Sequence, residues 1–220
     1  VREGEILGLF GLVGAGRTEV VRGLFGVDKK DCGDIYIAGK RVEINTPRDA
    51  IRHGIAMVTE DRRRDGIISN LSVMHNISLA SLKERLSNLG FIMAAKEKAD
   101  TRKMYDELNV KASSPDQLIG FLSGGNQQKA ILARWLYANP RILILDEPTR
   151  GIDVGAKSEI HGLVSALAQK GLAVIMVSSG CGEVMGICVR IVVMHDGENS
   201  GHFLRKDFNQ TALIKAAFGA

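Results

Sequence analysis

Three short stretches of this chain carry residue types at spacings suited to gripping phosphate and directing a water molecule at it. The first is Gly11-Leu12-Val13-Gly14-Ala15-Gly16-Arg17-Thr18, between an apolar run and a helical pattern. Glycines so spaced let several backbone N–H groups converge on one anion, at the positive end of the following helix. Thr18 stands where a hydroxyl would bind Mg²⁺. Arg17 occupies the position where such a loop calls for lysine. It keeps the charge, but a planar guanidinium is wider than an ammonium and cannot simply slot between two phosphates. Read alone, the stretch leaves open a glycine-rich turn with no ligand.

The second stretch is Asp146-Glu147, directly after the apolar run 142–145. Ligands of α/β sheets bind beyond the carboxyl ends of the strands. Asp146 is thereby placed to hold Mg²⁺ through water, and Glu147 to polarise an attacking water as a general base. Two carboxylates after a strand are often only a helix cap. The third stretch is Leu122-Ser123-Gly124-Gly125-Asn126-Gln127-Gln128-Lys129, just before the helical run 130–137. Ser123 and the glycine N–H groups at a helix start make a second anion site. The ordered combination of all three is what carries specificity.

The elements that must position these residues are legible in the hydrophobic pattern. Residues 5–10, 55–58, 142–145, 173–177 and 191–194 read as strands, and residues 18–24 as a helix. Residues 35–37 and 41–44 form an expected hairpin about Ala38-Gly39-Lys40, and Pro47 opens a short helix. From about 73 to 108 the pattern is helical, with a polar linker near Ser113-Ser114-Pro115. Ile160, Leu163, Val164 and Leu167 share one apolar helix face, Trp135 is expected in the core, and 208–218 reads as a short amphipathic helix. Strands alternating with helices predict an α/β fold with a mainly parallel sheet and a helical insertion over about 68–114. The strand at 5–10 has almost nothing before it, so the chain is expected to begin inside a longer polypeptide.

Composition narrows the function classes. With 220 residues, 45% hydrophobic and 25% charged, the chain can build a packed core. No run approaches the roughly 18 apolar residues of a membrane span, and no signal segment opens the sequence; a cytosolic setting follows. The net charge of +4 is scattered, and acids flank Arg62-Arg63-Arg64, so no nucleic-acid partner is expected. Cys32, Cys181 and Cys188 lack CxxC spacing and suit reduced thiols, and the five histidines form no metal pattern.

The three stretches, in this order, resemble ATP-binding cassette (ABC) ATPases, with the signature at 122–129, the Walker B strand at 142–147 and Gly151-Ile152-Asp153 as the D-loop. The resemblance implies a P-loop NTPase fold: a RecA-like core (1–67 and 130–200), a helical signature subdomain (68–129), a small β element and a C-terminal tail (201–220), together one ABC ATPase domain. It implies ATP and Mg²⁺ as cofactors. Nucleotide contacts would fall to Gly11, Gly14, Gly16, Arg17, Thr18, Glu60, Ser123, Gly124, Gly125, Gln127, Asp153 and Ser179. Metal contacts would fall to Thr18, Asp146 and Glu60, and Glu147 would be the catalytic base. A narrower resemblance lies in Gly14-Ala15-Gly16-Arg17-Thr18-Glu19, Thr59-Glu60-Asp61-Arg62, the Asn-Gln-Gln-Lys end of the signature and residues 147–157. These are similar to the carboxy-terminal cassette of tandem ribose, galactose and xylose importers.

In that family two cassettes pair head to tail, and each nucleotide lies between one phosphate loop and the other signature. Here the signature is intact, while Arg17 replaces lysine, Glu60 stands in the glutamine slot and Ser179 in the histidine slot. Ser179 cannot donate from a cation, and Glu60 would repel phosphates unless Mg²⁺ or Arg17 intervenes. The resemblance with these departures implies a degenerate site of its own, low or no turnover in the isolated domain, and a signature serving a partner cassette in trans. Gly180-Cys181-Gly182 is expected to loosen its turn, and Val189, in the place of an Asp, to leave Arg190 without its neighbour. Implied partners are a second cassette (same polypeptide or dimer), a membrane permease met around 60–65 and 74–82, and indirectly a periplasmic sugar-binding protein. The implied location is peripheral, on the cytoplasmic face of a bacterial inner membrane. Two readings compete: a soluble non-transport ABC ATPase acting on ribosomes or DNA, and a regulatory nucleotide-binding module that does not hydrolyse.

Overall fold

A computed structural model describes residues 1–81 and 93–220. In chain order the elements are β1 (Ile6–Gly11), α1 (Arg17–Phe25), β2 (Ile35–Ile37), β3 (Lys40–Val42), α2 (Pro47–Arg52), β4 (Ile55–Val58), α3 (Val73–Ser78) and α4 (Ala94–Glu107). They continue with α5 (Gly124–Tyr137), β5 (Ile142–Asp146), α6 (Val154–Gln169), β6 (Ala173–Ser178), α7 (Cys181–Ile187), β7 (Arg190–His195), β8 (Glu198–Leu204) and α8 (Gln210–Ala217). The described chain divides into two compact units, one of residues 1–57, 140–148 and 164–220, the other of 58–139 and 149–163. The expected division after residue 67 is therefore redrawn at Val58. The signature helix α5 and residues 149–163 group with the helical unit, because α5 packs on α3 and α4.

The first unit is built on a six-stranded sheet of order β4-β5-β6-β1-β7-β8. Strands β5, β6, β1 and β7 are parallel neighbours. Their near-continuous apolar sequences suit a sheet covered on both faces, and Leu143, Leu145, Val174, Met176 and Val177 are fully buried. Helix α1 packs on β1 and β5, α7 on β1 and β6, and α8 on β7 and β8. These elements agree with the expected α/β class. Two details differ. The hairpin turns in two residues, Ala38 and Gly39, with φ of 49° and 75°, so its second strand starts at Lys40 and ends at Val42. A two-residue turn with both residues at positive φ matches the strand twist. Residues 198–204, expected partly as tail, form the antiparallel edge strand β8 against β7.

The second unit is helical around Val73, Ile77, Ile119, Ile131 and Leu132, all at most 1% exposed. Its centre is polar. The buried Arg134 guanidinium donates to the Asn76 and Gly66 carbonyls, both at 2.6 Å, and to Asn76 Oδ1 at 2.9 Å. Asn76 in turn donates to the Ile68, Leu71 and Ser72 carbonyls. Such a network ties α5 to the segment before α3 with no polar group of the arginine left idle. Trp135 is half-buried, not a core residue. Part of the expected helical insertion, and Leu82 of the expected permease-facing stretch, lie outside the described residues. Among the described residues no helix is long and apolar enough to cross a membrane.

Candidate nucleotide and signature sites

The register of the sheet sets Leu9, Val177 and Asp146 abreast. The loops after β1, β5 and β6 consequently leave one edge, where parallel sheets bind ligands. Gly11 is demanded by space, since a Cβ there would lie 2.5 Å from the Met194 carbonyl oxygen. Gly14 and Gly16 hold φ of 88° and 87°, a region that residues with side chains rarely enter. The Ala15 N–H closes the loop onto the Leu12 carbonyl at 3.0 Å. Gly16 then starts α1 with no side-chain cap, which leaves the first N–H groups of the helix available to an anion.

Arg17 does not point into open space. It is 7% exposed, and its Nη1 donates to Glu147 Oε1 at 3.1 Å. The same carboxylate oxygen accepts the Ser179 backbone N–H at 2.7 Å, so Ser179 reaches the site through its main chain. Glu147 adopts φ 43°, and its N–H is tied to the Val177 carbonyl at 2.9 Å. A left-handed non-glycine residue costs energy that the surrounding structure must offset, and such residues concentrate at functional sites. Thr18 Oγ1 donates to Asp146 Oδ1 at 3.3 Å. Asp146 Oδ2 is buried and has no hydrogen-bond partner among the described residues. Burial, offset in part by the Thr18 hydroxyl, pushes the Asp146 carboxyl up to about 6. An orphaned carboxylate oxygen beside a hydroxyl fits the oxygen donors a small hard cation takes.

The helical unit carries the other cradle. Ser123 is the residue before α5, and its Oγ makes no capping bond to the backbone. It accepts instead from Asn126 Nδ2 at 2.9 Å, while Asn126 Oδ1 holds the Lys111 N–H at 2.8 Å. The Ser123 proton is thereby left free to donate. Ser123, Gly125, Asn126, Lys129 and Asp153 line a cleft of about 200 Å³. Gly125 is required by packing, because a Cβ would sit 2.5 Å from the Ala156 Cβ. Asp153 Oδ1 accepts the Ala156 N–H at 2.9 Å, capping α6 at the cleft wall. Gln127, expected to touch nucleotide, is 3% exposed. Its amide is spent on the Arg62 Nε (3.2 Å) and the Ile119 carbonyl (3.3 Å). One position along a helix turns a side chain by about 100°, so Asn126 lines the cleft and Gln127 turns inward.

Glu60 gains a partner the pattern did not announce. Its carboxylate pairs with Arg150 within the helical unit, which offsets its charge alongside the expected Mg²⁺ or Arg17. The motif pattern held no signal for this pair, which brings together residues 90 apart in sequence. Arg190 is not left alone either. Its Nε and Nη2 meet the Glu5 carboxylate at 2.8 and 3.3 Å. Burial works to raise Glu5, yet Arg190 and the Arg2 N–H outweigh it and hold the carboxyl below its ordinary value. The turn at Gly180 is braced as well: the Ser178 hydroxyl donates to Glu183 at 2.5 Å and accepts the Gly180 N–H at 3.0 Å.

A parallel sheet with a glycine loop at the carboxyl edge of β1, together with a helical unit bearing a serine-glycine helix start, makes up the architecture of ATP-binding cassettes. A nucleotide-free cassette of known structure superposes with a TM-score of 0.82 at 21% identity, over 100% of this chain and 86% of that one. A dimeric cassette solved with ADP and Pi gives 0.79 at 23% identity, over 94% and 88% of the two chains. At such identity the likeness is one of fold. The chain belongs to the ABC transporter family, whose profile matches residues 1–150. It is 49% identical to the ribose import ATP-binding protein of Geobacillus kaustophilus and 51% identical to the xylose import ATP-binding protein of Escherichia coli. Those alignments take in 100% and 99% of this chain but 44% and 42% of the relatives. The chain thus spans a little under half the length of the proteins it matches.

Proposed function

We propose that this chain is the ATP-binding, hydrolase-family cassette of a simple-sugar importer, with a degenerate nucleotide site of its own and a signature that completes a partner cassette's site. The observation that carries the reading is the ion pair between Arg17 and Glu147. The group in the lysine position holds the group in the base position. For turnover at this site, Arg17 has to exchange Glu147 for phosphate, and the carboxylate has to gain a water; low or no turnover in the isolated domain follows. The signature cleft carries no equivalent block, since Ser123 keeps its proton and the α5 start has no side-chain cap.

In this reading the loop N–H groups about Gly14 and Gly16 bind the phosphates of the chain's own ATP. Thr18 and Asp146 would hold Mg²⁺, which when bound neutralises charge on the terminal phosphates. Ser123 and the Gly124 and Gly125 N–H groups donate to the γ-phosphate of the partner's nucleotide, where charge develops in the transition state. Ribose and xylose import are the activities named for relatives at about half identity, which supports a sugar as cargo. A second cassette, a permease, peripheral attachment at the cytoplasmic face and a periplasmic sugar-binding protein complete the proposed assembly.

The test compares two variants in the ATPase assembled with its partner cassette and permease. Ser123→Arg is expected to lower phosphate release by 100-fold or more, as loss of transition-state donors does on the order of 10²–10³-fold. Glu147→Gln is expected to leave most of it. The reverse pattern would assign the working site to this chain's own loop. No effect from either would favour the regulatory module.

A further inference from the structure

Arg62 makes contacts that no nucleotide role explains. Its fork is used on three partners in the helical unit: Nη1 donates to the Arg150 carbonyl at 2.6 Å, Nη2 to the Gly151 carbonyl at 3.0 Å and Nε to Gln127 Oε1 at 3.2 Å. Two successive carbonyls of one loop thus face one guanidinium, in a chain turned by Gly151 at φ 66°. The third bond continues through the buried Gln127 amide to the Ile119 carbonyl, in the turn that leads into the signature.

The arginine is itself anchored. It opens a single π-helical turn (Arg62–Gly66) whose start is capped by Asp61, which accepts the Arg63 and Arg64 N–H groups at 3.0 and 3.1 Å. Ile67 N–H closes that turn onto the Arg62 carbonyl at 2.8 Å. Glu60, two residues earlier, pairs with the Arg150 side chain. Residues 60 and 62 therefore grip residue 150 by its side chain and its main chain together. The signature is built to admit this arrangement. A Cβ on Gly124 would lie 2.6 Å from Arg62 Nη2 and 3.1 Å from the Gly151 carbonyl oxygen. The first signature glycine therefore leaves the room that the arginine fills.

We propose that Arg62 is a positioning residue that clamps the D-loop (151–153) and the Arg150 before it to the signature helix, so that Ser123 and the glycine N–H groups meet a partner's nucleotide as one preformed cradle. This inference rests on the proposed lending of the signature in trans. A planar fork with fixed donor directions suits two adjacent carbonyls and an amide; a lysine ammonium at the same place keeps the charge and loses the simultaneous geometry. Preformed donors act without reorganisation at the moment of reaction, so loosening the clamp weakens engagement of the bound nucleotide while the fold persists.

The experiment measures ATP turnover against ATP concentration in the assembled ATPase for Arg62→Gln, Arg62→Lys, Ser123→Arg and, on the exposed face of α2, Arg48→Gln, with the melting temperature of each. Arg62→Gln is expected to raise the half-saturating ATP concentration roughly tenfold or more. Its melting transition should remain within a few degrees of the parent, Arg62→Lys should recover part of the shift, and Arg48→Gln should match the parent. An unchanged half-saturation in Arg62→Gln overturns the clamp, as does a loss of turnover that only follows the loss of folded protein. If Ser123→Arg abolishes turnover while Arg62→Gln behaves as the parent, the clamp alone fails. If Ser123→Arg leaves turnover intact, the lending of the signature fails, and the clamp with it.

Discussion

The two candidate phosphate-binding regions of this chain treat their polar groups in opposite ways. At the edge of the sheet, the cationic residue of the loop is tied to the carboxylate that would activate water, and Asp146 keeps one buried oxygen without a partner. In the helical unit, the long polar side chains described behind the signature are matched: Arg134 to three acceptors, Arg62 to three acceptors, Glu60 to Arg150. The first region carries stored cost and an internal competitor for its ligand. The second spends these side chains on internal partners and leaves the Ser123 proton and a helix start open. In the proposed reading the signature has to be rigid before a partner's nucleotide arrives, and internal hydrogen bonding serves this. The chain's own loop, with an arginine in the lysine position, carries no such demand in that reading.

The largest effect expected from this contrast is on the helical unit. Arg134→Ala removes the arginine donor from the Asn76 and Gly66 carbonyls and leaves Asn76 Oδ1 with the Ile68 N–H alone. It should cost about 3–5 kcal/mol, read as a lowered denaturant midpoint. A cost below about 1 kcal/mol would mean that the helical unit is not organised around this arginine.

The sheet edge should respond with the opposite sign. Asp146→Asn keeps the acceptor for Thr18 and removes a buried charge, so the metal-free chain should gain roughly 2–3 kcal/mol at neutral pH. The sign follows from proton binding. Native Asp146 holds its proton up to about pH 6, while the unfolded chain releases it near the ordinary carboxylate value. Between those values the folded state binds more protons, so parent stability falls as pH rises through about 4 to 6. The Asn variant should lack that fall, and unfolding curves at pH 5 and 7.5 without magnesium or nucleotide check it. Smallest is the effect of Arg17→Lys. A compact ammonium should release Glu147 more readily and tighten nucleotide binding to this chain's own loop about tenfold, roughly 1.4 kcal/mol, measured by titration calorimetry. Unchanged affinity would show that the Arg17–Glu147 pair is not what holds this site back.

Much of this was legible in the residue pattern because it is local. Glycine spacing, the apolar runs before Gly11 and Glu147, and the helix start after Ser123 each follow from backbone sterics and short-range periodicity. What the pattern missed was long-range. Strand β8 carries Glu198, Asn199, Ser200 and Gly201, poor strand formers, and exists because β7 offers it an edge. Gln127, and not Asn126, is the expected nucleotide contact in the pattern, yet the helix turns Gln127 inward and Asn126 to the cleft. Arg190 loses an expected neighbour at Val189 but meets Glu5, 185 residues away.

The amino-acid order by itself determined the parallel strands, the two glycine-bearing helix starts and the family, since those depend on which residue types can occupy tight turns, helix starts and buried strands. Only the tertiary structure decided which charges meet: Arg17 with Glu147, Arg150 with Glu60, Arg62 with the Arg150 and Gly151 carbonyls. The physical reason is that a long side chain's charge is neutralised by whatever lies within a few ångströms in space, and sequence distance places no bound on that neighbour.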